Sequence, residues 1–462
     1  MKRKKILFVS YYYPPAAGQA LPGTQRSVKF IRYMDRFEKY VMTVRPELYP
    51  GYFTLDHPAS LPVNGEQVVR TEVYDIFQFL VKVKNRVLFR QKGSGADESE
   101  QYTGSSACSG VCGNGNAGTF QKLKDIVSAI LTYPDEANCW ILPAVRKGRK
   151  LIKQEGVDYV FATGKPWSAL IVAFFLKRKG VQLVVDFRDP WVNNPFETEI
   201  SGVRKAVDKF LEKKVVRKAD RVLLNTEDLR EEFRERYPTE PKEKFITMTN
   251  GYDAADFAAS LQAPKDVVVC EDRENLVLTH AGLLYGLRDP IAVFKALDRY
   301  YQQYKENPGV HVIFRQLGDI TLDYNYQDYL QFDSEVQVFD NVGQVPYSEC
   351  LGYLSRSDVL LIIQPDTKTQ IPSKLFEYIF LNKPILTIAP LDGALAAMIK
   401  QYGFGEIYDP SDVEGILAYF HEKVKEKKEK GYLRCDYTHR ERFDIKNITA
   451  DFEQLLLDGA VA

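Results

Sequence analysis

The feature that most constrains this chain is a rhythm. Short apolar runs, each ending in a loop that carries Gly, Pro or Asn, alternate with amphipathic stretches long enough for helices. That alternation requires parallel strands joined by crossover helices, because a parallel sheet needs both faces covered. In the first half, strands are predicted at 5–10, 159–163, 182–187, 221–225 and 245–249, with helices over 24–37 and from the loop at Gly164 through Lys179. The rhythm then restarts, with strands at 276–280, 310–316, 336–339, 358–363 and 384–388. The expected fold class is therefore α/β, with two Rossmann-like doubly wound domains at 1–262 and 263–435. Residues 253–274, acidic and with little periodicity, read as the linker. Residues 436–462 read as a closing helix packed back towards the first domain. A length of 462 residues suits two or three domains.

Several classes are excluded. A content of 45% apolar and 27% charged residues is globular, not disordered. The longest apolar run, 167–176, is about half of what a membrane span needs. The basic start is followed by an apolar run too short for a signal peptide, so it reads as a first buried strand. Six cysteines at 108, 112, 139, 270, 350 and 435 are mostly isolated, which fits a reducing compartment. Cys108 and Cys112 lack the second ligand pair of a zinc site. The expected location is cytoplasmic, with room for a peripheral position at the inner membrane face.

Net charge is zero, but residues 1–262 carry a net of +10 and residues 263–462 a net of −10. A basic first half suits an anionic partner such as a phosphate group or an anionic membrane. The mixed-sign run 422–430 reads as a solvated helix face, and no nucleic-acid partner is expected. Residues 92–118 hold seven Gly and five Ser and read as a surface loop. The literal G-x-G-x-x-G there, at Gly113, Gly115 and Gly118, lacks the apolar strand that a dinucleotide fingerprint needs in front of it.

Four loops carry the chemistry. The one after the first strand, with Gly18, Gly23 and Arg26, is long for a βα connection and suits ligand approach. Asp186-Phe187-Arg188-Asp189 sits at a strand's carboxyl end, where open α/β sheets bind ligands. An internal salt bridge to Arg188 accounts for Asp186 nearly as well. Gly282 allows close backbone approach, and Arg288 offers a fork for phosphate. Ser373 and Lys374 open a helix towards an anion, and Glu377 can accept from a ribose diol. The chain has no Asp-x-Asp, so no metal is expected, and Arg288, Lys374 and backbone N–H groups would neutralise a leaving diphosphate.

These residues, with "FVSYYYPPAAGQALPGTQR", "DYVFATGKPWSALIVAFFLKRKGVQLVVDFRDPW", "NGYDAADF", "HAGLLYGLRDP", "GQVPYSECLGYLSRSDVLLII" and "IPSKLFEYIFLNKPIL" in order, resemble the GT-B glycosyltransferases of the family-4 type. The resemblance implies two Rossmann-like domains facing a cleft. It implies a nucleotide-sugar donor on the second domain and a saccharide or lipid-linked acceptor on the first. It also implies retaining, metal-independent transfer with no cofactor, in cell-surface polysaccharide assembly. On that basis Asp189, Arg288 and Lys374 are the expected catalytic residues. Gly18, Gly23, Gly282, Arg288, Ser373, Lys374 and Glu377 are expected to bind the donor, and Arg26, Asp186 and Arg188 to face the acceptor. The chain departs from the family pattern at Leu283, Arg188 and Thr369, the last replacing a Glu eight residues before Glu377. Two alternatives remain at this stage: a sugar-nucleotide epimerase on the same fold, in which His280 would serve, and a non-catalytic scaffold.

Overall fold

A computed structural model describes residues 3–15, 22–49, 61–74, 133–194, 201–260, 274–303, 309–330, 338–364 and 367–458. The expectations for 92–118, for Cys108 and Cys112, for Gly18 and for much of 253–274 fall outside these residues.

The first sheet has seven parallel strands: β1 (Lys4–Val9), β2 (Phe37–Val44), β3 (Gln67–Thr71), β4 (Tyr159–Gly164), β5 (Gln182–Phe187), β6 (Arg221–Leu224) and β7 (Phe245–Thr247). Their spatial order is β3-β2-β1-β4-β5-β6-β7, which reverses direction beside β1. Helices α1 (Pro22–Tyr33), α2 (Ile141–Glu155), α3 (Trp167–Leu176), α4 (Gly202–Lys218) and α5 (Glu227–Arg236) make the crossovers. The apolar run 167–176 is α3, buried under α2 and α4, with Trp167 stacked on Trp191 at 5.1 Å. The helix expected at 24–37 begins earlier, with Pro22 at a position where its missing N–H is not needed. It ends at Tyr33, so Phe37 opens β2.

Past α6 (Ala254–Ser260), the second sheet contains β8 (Asn275–Ala281), β10 (His311–Leu317), β12 (Phe339–Gly343), β13 (Val359–Ile363), β14 (Ile385–Ile388) and β15 (Glu406–Tyr408). The order is β12-β10-β8-β13-β14-β15, all parallel, beside a two-residue ladder of β9 (Leu284–Tyr285) with β11 (Ile320–Thr321). Helices α7 (Ile291–Gln303), α8 (Tyr347–Arg356), α9 (Lys374–Phe380), α10 (Ala394–Tyr402) and α11 (Val413–Lys430) cover it. The charged run 422–430 lies on α11, and one of its residues corrects the solvated reading. Lys427 is fully buried and donates to Asp358 at 2.6 Å.

Tyr252 and Phe257 pack into the core of the second domain, so the chain leaves the first domain near Asn250-Gly251, ahead of the expected boundary. The outgoing and returning chains bridge there: Tyr252 N–H donates to Phe443 O at 3.0 Å, and Ile445 N–H to Tyr252 O at 2.9 Å. A Cβ on Gly251 would lie 2.4 Å from Phe443 O, so only glycine allows this approach. The closing helix, α12 (Ile445–Asp458), lies on the first domain, where Phe452 stacks on Phe30 at 5.1 Å.

Candidate active site

The carboxyl edges of the two sheets face each other across a cavity of about 310 Å³. Arg188 and Asp189 follow β5, Asn225 follows β6, and Asn250 lies just past β7. Opposite them, Ala281 ends β8, Gln364 follows β13, and Gln370 to Lys374 lead into α9. Crossover helices pull the chain away from the strand ends there, which leaves a crevice that loop side chains must fill.

On the second domain, Gly282 takes φ 133° and donates its N–H to Leu317 O at 2.7 Å. That amide is therefore not free for a ligand, contrary to a cradle role for it. The glycine supplies room instead, since a Cβ would lie 2.9 Å from Lys374 Nζ. Lys374 Nζ donates to Ala281 O at 2.6 Å and lies 3.4 Å from His280 Nε2. Burial, and then the Arg288 charge, pull the Lys374 ammonium down to about 7. Burial and Lys374 hold His280 well below the usual imidazole range, so its ring is neutral and accepts or donates only towards Gln316, at 2.8 Å, and Lys374. Arg288 packs over the Tyr285 ring with its Nε buried and without a partner. Gln364 Oε1 is also buried without a partner, although its Nε2 donates to Thr367 Oγ1 at 2.7 Å. Two unmatched polar atoms and two crowded cations thus line one wall of the cleft.

The first domain's wall differs. Arg26 grips Asp186 with both prongs, at 2.8 and 3.0 Å, and also donates to Met248 O, Thr249 O and Asn250 Oδ1. Thr163 Oγ1 donates to Asp186 at 2.7 Å and accepts from Arg188 Nε at 3.1 Å. Arg188 Nη2 donates to Lys165 O at 2.8 Å. Asp186 therefore pairs with Arg26, not with Arg188 as its internal salt-bridge reading had it. Burial pulls the Arg188 guanidinium down from its ordinary value, while Asp189 and Asp186 oppose that shift. Asp189 accepts from Gln370 Nε2 at 2.9 Å, one of two side-chain hydrogen bonds across the cleft among the described residues. The other runs from Thr226 Oγ1 to Thr369 O at 2.6 Å.

A smaller adjoining chamber, which shares Asn250 and Ser373 with the cleft, holds Glu377, Arg26 and Lys29. Tyr347 donates to Glu377 Oε1 at 2.8 Å. Burial pushes the Glu377 carboxyl up, while Lys29 and Tyr347 oppose the rise. Ser373 is exposed, makes no side-chain cap and lines both spaces.

The cleft therefore brings together Arg188, Asp189, Gly282, Arg288, Ser373 and Lys374 from the sequence-derived set. Glu377 and Arg26 lie in the side chamber, Asp186 lies behind Arg26, and Gly23 is the second residue of α1, not part of a loop. Sequence reasoning did not single out Gln364, Gln370 or Asn225 as ligand residues. Gln364 directly follows the predicted strand 358–363 and Asn225 ends the predicted strand 221–225, and those positions were the signal available; Gln370, in the loop before the helix at Lys374, had none.

Two facing, all-parallel sheets with a cleft at their carboxyl edges make this a GT-B fold. Solved structures of that form span nearly the whole chain: a glycosyltransferase from Rickettsia africae (10% identity, 98% of each chain, TM-score 0.55) and a sucrose-phosphate synthase from Thermosynechococcus elongatus (13% identity, 99% of each chain, TM-score 0.52). Residues 128–251, which hold β4 to β7 and the Asp186–Asp189 loop, match the family described as glycosyl transferase 4-like domain. The comparison with curated proteins found no match.

Proposed function

We propose that this protein is a retaining glycosyltransferase. It would move a sugar from a UDP- or GDP-sugar to a saccharide acceptor carried on a lipid, in the assembly of a cell-surface polysaccharide. The observation that carries the reading is the pair Arg288 and Lys374, converging beside Gly282 with no carboxylate of the cleft between them. Two basic groups held side by side in a part-buried crevice are costly to charge unless an anion joins them, and a diphosphate provides two charges and bidentate oxygens.

In this mechanism the bond from the anomeric carbon to the diphosphate oxygen breaks while the acceptor oxygen bonds to the same face. Charge developing on the leaving diphosphate is met by Arg288 and Lys374 without a metal. Asp189 is the single acidic residue among the described residues lining the cleft, which supports its role here as the group that takes the acceptor's proton. Glu377, in the adjoining chamber, serves the ribose hydroxyls. An epimerase would need acid and base groups facing the sugar. His280 is instead shielded behind Lys374 and held neutral, which counts against that use.

The test measures thermal stability with UDP, GDP, ADP and dTDP, followed by transfer of radiolabelled sugar from the matching donor to lipid-linked acceptors. A nucleotide-selective rise and label in the lipid fraction are expected. Absence of both would sink the reading in favour of a scaffold.

A further inference from the structure

Helix α4 is rich in cations. Seven of its 17 residues are Lys or Arg, and six of those seven are exposed. Its two acids, Asp208 and Glu212, both face inward and are consumed there. Asp208 accepts from Tyr133 Oη at 2.7 Å and Trp191 Nε1 at 2.9 Å, and Glu212 from Arg236, Tyr237 and the Val192 amide. The outward face thus presents cations with no acid of the helix among them.

On that same outward face, directly opposite the buried side, lie Val203, Val207 and Phe210, spaced by four and three residues. They are 77%, 39% and 57% exposed. An apolar stripe pointing into solvent has no reason in folding, because burying it contributes nothing to this core. Across α3, helix α2 repeats the pattern. Leu142 is 57% exposed, and Arg146, Lys147, Arg149, Lys150 and Lys153 are all exposed. Its one acid, Glu155, is taken by Lys5 and Tyr40. The two basic faces meet at the end of α3, where Lys218 sits 4.1 Å over the Phe174 ring and Arg149 donates to Phe175 O. Burial, Arg149 and Lys177 all push the Lys218 ammonium down, a crowding that an anionic surface relieves.

We propose that the outward face of α4, extended by α2, docks on an anionic lipid bilayer, with Val203, Val207 and Phe210 entering the boundary between headgroups and acyl chains. The cations around this narrow apolar stripe complement phosphate-rich headgroups, and the stripe itself offers exposed apolar surface to the acyl boundary. A nucleic acid or an acidic protein would use the cations but leave the valines without a role. The crossover also sets the orientation. Helix α4 runs antiparallel to β5, so its Val203 end lies at the carboxyl edge of the sheet, where the cleft opens. A protein seated on this face holds its cleft at the height of a lipid-borne acceptor. The proposal deepens the lipid-linked reading above, but its own evidence is the helix surface.

The experiment is co-sedimentation of the full chain with vesicles of phosphatidylcholine, with and without phosphatidylglycerol. The wild type is expected to sediment with the anionic vesicles only, and to be released by salt. Val203→Ser with Val207→Ser and Phe210→Ser weakens partitioning about tenfold through lost apolar contact. Lys209→Gln with Lys213→Gln and Lys214→Gln weakens it about a hundredfold, at about fivefold per cation. Wild type that stays in solution with anionic vesicles, retention on an RNA oligonucleotide instead, or variants that sediment like wild type would each overturn the proposal. Both variants are exposed-surface changes and keep the wild-type nucleotide-dependent stabilisation. Loss of that stabilisation in the wild type strikes the donor reading and leaves the docking face untouched.

Discussion

The two walls of the cleft treat their charges in opposite ways. On the first domain, Arg26, Asp186, Thr163 and Arg188 form a closed network in which Arg26 alone reaches five acceptor positions. On the second, Arg288 Nε and Gln364 Oε1 are buried without partners, and Lys374 is held beside another cation. Groups of similar type at equivalent strand ends therefore do different work. A satisfied network ties strand ends together, whereas an unsatisfied one is waiting for a ligand. On the proposed reading, the difference also divides the residues singled out from sequence: Arg26 and Asp186, expected to face the acceptor, serve as scaffold, and Arg288 and Lys374 serve the donor.

Breaking the closed network gives the largest effect. Arg26→Met leaves Asp186 at 0% exposure with Thr163 as its remaining hydrogen-bond donor among the described residues, and is expected to cost about 3–5 kcal/mol in urea unfolding. Nucleotide affinity of the protein that still folds stays at the wild-type value. A loss of less than about 1 kcal/mol, within the range of an exposed pair, would remove the distinction between the walls.

Arg288→Ala reverses the pattern. Its removal eliminates a buried unpaired Nε, so unfolding free energy changes by less than about 1 kcal/mol, while nucleoside diphosphate affinity falls about 10- to 100-fold. Titration calorimetry beside urea unfolding separates the two numbers. Stability and affinity that fall together would show Arg288 to be structural.

Lys374 sharpens the same contrast through pH. Its folded value is depressed to about 7 from an ordinary 10.5, so the cation is present below about 7 and is lost as pH rises through it. Nucleotide affinity is expected to fall by up to about tenfold per pH unit above that point. The ligand-free protein moves the other way. Between about 7 and 10.5 the unfolded chain keeps a proton that the folded chain has released, so this group's contribution to stability rises with pH. Lys374→Met flattens both trends, and a persisting affinity trend would assign the titration to another group.

Much of the fold was legible because its strands are apolar runs between turn residues. Strand β2 was not, because Phe37-Glu38-Lys39-Tyr40 breaks the run. Lys39 is nonetheless buried, with its ammonium donating to the carbonyls of Ile31 and Met34 at the end of α1. No local pattern announces a lysine satisfied by another element's carbonyls. The site divides in the same way. Arg288 and Lys374 were readable because glycine and helix-start signals flank them. The partner of Asp186 was not, because it stands 160 positions away, and the nearby Arg188 satisfied the same arithmetic. Gln364 carried no signal beyond its place after a strand, since an amide is unremarkable until burial leaves its oxygen unmatched.

The smallest effect lies where the walls touch. Gln370 is 7% exposed and donates to Asp189 across the cleft, close to the bond between Thr226 and Thr369. If Asp189 takes the acceptor's proton, Gln370 orients that carboxylate and holds the walls together but meets no reacting atom. Gln370→Ala then removes one charge-assisted bond of partial exposure, about 1 kcal/mol, and lowers kcat/KM about fivefold with nucleotide affinity unchanged. Asp189→Asn keeps the shape and the contact to Gln370 but cannot accept the proton, and it loses about 100-fold or more in kcat. The ratio between the two variants is the informative quantity. Equal losses would place Gln370 in the chemistry itself, and the rule that paired groups are scaffold would then fail at a pair that spans both walls.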